Sequence, residues 1–137
     1  MRLFVDTWGW LVLEDIKAGS HSAAAELYAE ATRPGGRVLT TDYVLDETFT
    51  LLFRRRPYDE ASRFAKGLLE SPFITVETIT PEHFRKAFDL RLTYRDKPDI
   101  SFTDLTSMVI MRDMKIADVL TGDRHFLQTG LGFRVLP

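Results

Sequence analysis

Apolar residues run along this chain in short stretches, and the polar breaks between them mark out the elements. Leu3-Phe4-Val5 is a strand-forming run that stops on Asp6. Trp8 to Leu13 is apolar and opens a short helix, which breaks near Ala18-Gly19-Ser20. Ser20 or Ser22 can cap a second helix, where Ala23, Ala24, Leu27, Tyr28 and Ala31 recur with helical spacing. Pro34-Gly35-Gly36 ends it. Arg37 to Thr41 reads as a strand, and Asp42 is placed to cap a helix from Tyr43 to about Arg56.

Pro57 interrupts, and Tyr58 to Glu70 reads as the next helix. Phe73 to Ile79 is a strand by its β-branched content. Thr80-Pro81-Glu82 then supplies the cap, first-turn proline and first-turn acid of a helix running to about Tyr94. A polar loop from Arg95 to Asp99 leads to a helix opened by Ser101 or Phe102 and ending near Met114. Ile116 to Thr121 and Phe133 to Leu136 are the last strands, with a helical turn or two from Asp123 to Gln128 between them.

Strands separated by helices or helix pairs predict an α/β fold with a mostly parallel sheet of about five short strands and helices on both faces. At 137 residues the chain is long enough for one core and too short for two, so Met1 to Pro137 reads as a single domain. Composition narrows the chemistry. There is no cysteine, which removes disulfides, thiolate metal sites and cysteine nucleophiles. A formal net charge of -2 leaves no overall basic footprint, so nucleic-acid binding would need local positive charge or metal ions. No apolar stretch approaches the roughly 20 residues needed to span a bilayer, and Asp6, Glu14 and Asp15 break up any signal-like segment. A cytoplasmic protein is expected.

Ligands of open parallel sheets bind beyond the carboxyl ends of the strands. Asp6 follows the first strand directly, and Asp123 follows Val119-Leu120-Thr121 after one glycine. Asp104 is the third candidate, because its helix is apolar nearly all round and it shares a stripe with Met108 and Met111. An uncompensated polar group on such a stripe costs roughly 2–7 kcal/mol. A capping box, Ser101-Phe102-Thr103-Asp104, compensates it structurally; a metal ion does so equally well. In Tyr43 to Phe53 a helical wheel puts Asp46 and Glu47 alike at the borders of the buried face, and periodicity does not choose between them. Carboxylates without thiolates suit a hard cation, Mg²⁺ or Mn²⁺, which can activate water and neutralise a phosphate under attack.

These residues carry a family likeness. Val5-Asp6-Thr7, the segment Asp46-Glu47-Thr48-Phe49-Thr50-Leu51-Leu52, Ser101 to Asp104 and Thr121-Gly122-Asp123-Arg124-His125-Phe126 stand in the order and spacing of a PIN-domain ribonuclease. Over nearly the whole chain the sequence resembles the VapC-type toxin of toxin–antitoxin pairs in particular. The resemblance implies a PIN-like fold and a Mg²⁺-dependent endoribonuclease, with Mn²⁺ as a substitute ion. Asp6, Glu47, Asp104 and Asp123 would form its acidic quartet, which selects Glu47 over Asp46. Thr7 and Thr121 would orient carboxylates or water. An antitoxin partner and a homodimer are implied in the same way. A PIN protein that processes or binds RNA without a toxin role is the alternative.

Other residues weigh less. Arg54-Arg55-Arg56, Arg91, Arg95 and Lys97 can reach phosphates, but a basic helix end also suits the helix dipole. Arg124 adjoins Asp123 and is the better RNA contact. Trp8 and Trp10 read as core, and His125 as a surface residue opening a short helix. A receiver domain would need an acceptor Asp after the third strand, where Thr78-Ile79-Thr80-Pro81 stands. A haloacid-dehalogenase-type phosphatase would need an Asp where Trp8 stands.

Overall fold

A computed structural model describes residues 1–137. The chain orders its elements as β1 (Arg2–Val5), α1 (Thr7–Glu14), α2 (His21–Ala31), β2 (Arg37–Thr41), α3 (Asp42–Arg55), α4 (Tyr58–Glu70), β3 (Ile74–Glu77), α5 (Pro81–Thr93), α6 (Phe102–Asp113), β4 (Asp118–Leu120), α7 (His125–Gln128) and β5 (Arg134–Leu136). The sheet has five strands in the order β3-β2-β1-β4-β5, and every ladder is parallel. The α/β reading therefore holds. The expected strands at Phe73–Ile79 and Ile116–Thr121 are trimmed at both ends to four and three residues.

From β1 the chain winds outward through β2 to β3, then returns to the other side of β1 as β4 and β5. Right-handed crossovers in opposite directions put helices on opposite faces and leave a crevice between β1 and β4, where the winding reverses. β1 is central and carries no alternation, since Leu3, Phe4 and Val5 are all fully buried. That is the signature of a strand covered on both faces. Burying side chains of this kind contributes roughly 1.5–3 kcal/mol each.

Capping differs from expectation at α3. Thr41, the last residue of β2, is the cap, and its hydroxyl accepts the Val44 N–H at 3.0 Å. The Asp42 carboxylate instead accepts N–H groups from Tyr43 at 3.0 Å and Ile79 at 2.9 Å, tying the start of α3 to the exit of β3. Ser20 holds the cap position of α2 without a side-chain bond, and Ala23 faces solvent rather than the core. The expected cap of α5 forms and goes further. Thr80 and His83 bond reciprocally, at 3.1 and 3.2 Å, as a capping box.

Of the basic residues, Arg56 and Arg91 are occupied structurally. Arg56 pairs with Glu14 and Asp15, each at 2.8 Å, and joins α3 to the end of α1. Arg91 donates to the carbonyls of Ile100, Tyr94 and Lys97, which fixes the loop before α6 and takes Arg91 out of any RNA contact. At the opposite end of α6, the Arg2 guanidinium donates to the carbonyls of Met114 and Lys115. The helix is thus anchored by its C-terminus at the start of β1, and its N-terminus points back to where β1 ends.

Candidate active site

Three acids meet at the crevice, each set by the start of a helix. Asp6 is 5% exposed and is the cap of α1, where one carboxylate oxygen accepts the Gly9 N–H at 3.0 Å and the other accepts the Thr121 hydroxyl. The same threonine oxygen accepts the Asp123 N–H at 2.9 Å, so Thr121 holds β1's acid and β4's acid together. Asp104 lies in the first turn of α6. Asp123 precedes α7, and its Oδ1 accepts the His125 N–H at 2.8 Å. Helix N-termini carry unpaired N–H groups and partial positive charge, which is how this fold tolerates acids so little exposed to water.

That compensation is partial. Asp6 is pushed up from 3.8 to about 7, mainly by burial, against the opposing bonds from Thr121 and Gly9, with the charges of Asp123 and Glu47 adding to the rise. Asp104 is pushed up to about 8, mainly by burial and then by its contact with the Asp123 carboxyl, and the charge of Asp6 adds to it. Only half of the expected capping box forms at α6. The Ser101 hydroxyl accepts the Asp104 N–H at 3.0 Å, whereas the Asp104 carboxyl turns toward Asp123.

Asp46 and Glu47 are both exposed on α3, as an ordinary solvated pair would be. The charge of Glu47 is close enough to help push the Asp6 carboxyl up. Thr7 lies beside the site, with its hydroxyl 3.5 Å from the Val44 carbonyl of α3. Arg124 is exposed and outside every ion pair.

Three residues matter here beyond the expected set. His125 is not a plain surface residue. Its Nδ1 lies 3.0 Å from Asp123 Oδ1 and 3.8 Å from Asp104 Oδ2. Asp104, Asp123 and His125 each bring a potential ligand atom within 4.8 Å of the others. Gly122 lets Trp8 lie flat on the loop between Thr121 and Asp123, since a Cβ there would sit 2.5 Å from the indole ring. Trp10, by contrast, is core, with its ring N–H donated to Thr40 at 3.1 Å.

Gly9 brings α1 against β4. A Cβ on Gly9 would lie 2.6 Å from the Leu120 carbonyl and 2.8 Å from the Val5 side chain. Backbone cannot swing aside, so Gly9→Ala must lift α1 off the strand ends. We expect a loss of about 1–3 kcal/mol, read as a lower urea midpoint with unchanged slope. An unchanged midpoint would mean that α1 does not seat on β4 in this way.

Comparison with known proteins bears on the family and the fold. The family model described as the PIN domain matches residues 3–131. The chain belongs to the PIN-domain family. This PIN domain is 33% identical over 128 residues to the protein named 23S rRNA-specific endonuclease VapC20 of Mycobacterium tuberculosis, covering 93% of this chain and 94% of that one. It is 27% identical over 131 residues to the VapC ribonuclease of Archaeoglobus fulgidus, covering 94% and 82%. Among solved structures it superposes on M. tuberculosis VapC20, described as a sarcin-ricin loop cleaving toxin, with a TM-score of 0.82 at 30% identity over 98% of this chain and 99% of the other. VapBC2 from Rickettsia felis, bound to a promoter DNA fragment, matches with a TM-score of 0.72 at 12% identity over 98% and 97%, a likeness of fold alone. No helix of this PIN domain is long and apolar enough to cross a membrane.

Proposed function

We propose that this PIN-domain protein is a metal-dependent endoribonuclease, the toxin of a type II toxin–antitoxin pair, acting on structured ribosomal RNA in the cytoplasm. The observation that carries the reading is the convergence of Asp6, Asp104 and Asp123 at the sheet's reversal point, with two carboxyls pushed up to about 7 and about 8. Kinship to proteins named as ribonucleases and, in one case, as a toxin supports the reaction class and role. A cognate antitoxin and a homodimer belong to the same proposal.

The donor set fits a hard divalent ion. Its oxygens come from carboxylates that crowd one another, and the raised carboxyls of Asp6 and Asp104 mark a site with too little positive charge of its own. Asp6, Glu47, Asp104 and Asp123 would hold Mg²⁺, or Mn²⁺ in its place. Such an ion, when bound, neutralises phosphate charge and makes a bound water more acidic. The chain's own part is positional. Gly9 and Thr121 fix both oxygens of Asp6, so this carboxylate meets the attacking water in one orientation and takes its proton. The Thr121 hydroxyl oxygen extends the same constraint to Asp123 by accepting the Asp123 backbone N–H. As the water oxygen bonds to phosphorus, the P–O bond to the leaving nucleotide breaks and its oxygen takes up a proton from solvent water, while Asp6 later releases its own to solvent. Arg124, exposed beside Asp123, is positioned to meet a neighbouring phosphate of the RNA.

The test is incubation of a ribosomal RNA hairpin with the purified protein in Mg²⁺, in EDTA, and in EDTA followed by excess Mg²⁺. Internal cuts are expected in the first and third conditions only. Cleavage that ignores EDTA would remove the metal mechanism, and an intact hairpin in all three would remove the substrate class.

A further inference from the structure

We infer that His125 is a nitrogen donor to the cation of this site, giving it a mixed nitrogen–oxygen shell that prefers a first-row transition ion to Mg²⁺. The inference rests on the metal reading above and concerns a residue outside the acidic quartet.

Of the chain's three histidines, two are accounted for. His21 Nδ1 lies 2.9 Å from the Val12 carbonyl, and His83 Nδ1 accepts the Thr80 N–H at 3.2 Å in the capping box. His125 differs. Its Nδ1 is shielded from solvent and has no hydrogen-bond partner. Asp123 Oδ1 is 3.0 Å away but misaligned for a hydrogen bond with the ring, and that oxygen already accepts the His125 backbone N–H. A buried ring nitrogen left unpaired among acids calls for an explanation.

Ligand geometry supplies one. Around an octahedral ion with bonds of about 2.0–2.1 Å, adjacent donor atoms stand about 3 Å apart. The separations of Nδ1 from Asp123 Oδ1, 3.0 Å, and from Asp104 Oδ2, 3.8 Å, fall at and somewhat beyond that spacing. One ligand atom from each of the three residues lies within 4.8 Å of the others. The backbone bond from His125 N–H to Asp123 locks residue 125 to the acid it would share the ion with. Imidazole nitrogen is a good ligand for first-row transition ions, whereas Mg²⁺ keeps to oxygen and water. One histidine therefore biases a site that carboxylates alone would leave open to Mg²⁺.

The experiment is pulsed EPR on Mn²⁺-loaded protein, prepared once with natural histidine and once with ¹⁵N-histidine. We expect nitrogen modulation that changes on labelling and is absent from His125→Phe. Calorimetry with Co²⁺ and Mg²⁺ is the second arm. His125→Phe should bind Co²⁺ about tenfold or more weakly, while its Mg²⁺ affinity stays within about threefold. Bound Mn²⁺ without nitrogen modulation, or equal loss of both ions in the variant, would overturn the role of His125 and leave the metal reading intact. Failure of the wild type to bind Mn²⁺ at all would overturn both.

Discussion

Asp6→Asn is expected to lower RNA cleavage by roughly 10²–10⁴-fold, the range associated with a lost acid–base group, while the protein remains as stable as wild type or becomes more so. The two halves of this result have separate causes. Asparagine caps a helix as well as aspartate does, so the bond from Gly9 N–H and the start of α1 survive. Asparagine carries no charge, so the crowding that Asp6 suffers from Asp123 and Glu47 disappears. What goes is the carboxylate proposed to take the water's proton and to help hold the ion. Asp6→Ala would mix the effects, adding a cap loss of about 0.5–2 kcal/mol. The measurements are the initial cleavage rate in Mg²⁺ and the thermal midpoint in EDTA at pH 7.5. Wild-type cleavage by Asp6→Asn would exclude Asp6 from the chemistry. A sharp drop in its midpoint would show that the charge at position 6 stabilises the native state, contrary to the electrostatics described.

The second large effect couples pH to the metal. Asp6 and Asp104 hold their protons more tightly in the native chain, to about 7 and about 8, than at the ordinary value of 3.8. Between those limits the native state binds more protons than the unfolded one, so its stability falls as pH rises. The contribution of these two groups is complete below the ordinary value and is lost as pH climbs through 7 and 8. In EDTA the thermal midpoint should therefore decline from pH 6 to pH 8. Saturating Mg²⁺ should reverse the trend, because fewer protons compete for the carboxylates as pH rises and binding to the native state alone adds about 2.7 kcal/mol at a hundredfold excess over Kd. Asp104→Asn should flatten the EDTA series. A wild-type midpoint that rises from pH 6 to pH 8 in EDTA would refute the raised carboxyls.

Local signals in the chain were enough for the elements and for three of the acids that the fold brings to the candidate site. Spacing and turn residues located every helix and strand, because a covered β1, a proline at the start of α5 and a nearly all-apolar α6 are written in neighbouring residues. Asp104 stood out for the same reason, as a carboxylate set in a buried helix. What escaped local reading depends on residues distant in sequence. The choice of Thr41 over Asp42 as the α3 cap follows from Ile79, whose N–H claims the Asp42 carboxylate from 37 positions away. The approach of the Thr7 hydroxyl to the Val44 carbonyl, 37 positions on, is likewise set by how α3 packs. Glu47 and Asp46 are equivalent on a helical wheel and separate only when α3 packs beside α1. His125 reads as a solvated residue until the turn from Thr121 folds its ring back over Asp123.

The pairing of β1 with β4, Val5 beside Leu120, also fixes when the candidate site can assemble. Asp6 leaves the ribosome well before Thr121 and Asp123, since the Asp6–Thr121 bond spans 115 positions. An unfinished chain therefore carries its first acid without the residues that orient it. The constellation exists only after β4 has zipped onto β1. For the proposed ribonuclease this ties the site to completion of β4, because a truncation short of it lacks Thr121 and Asp123.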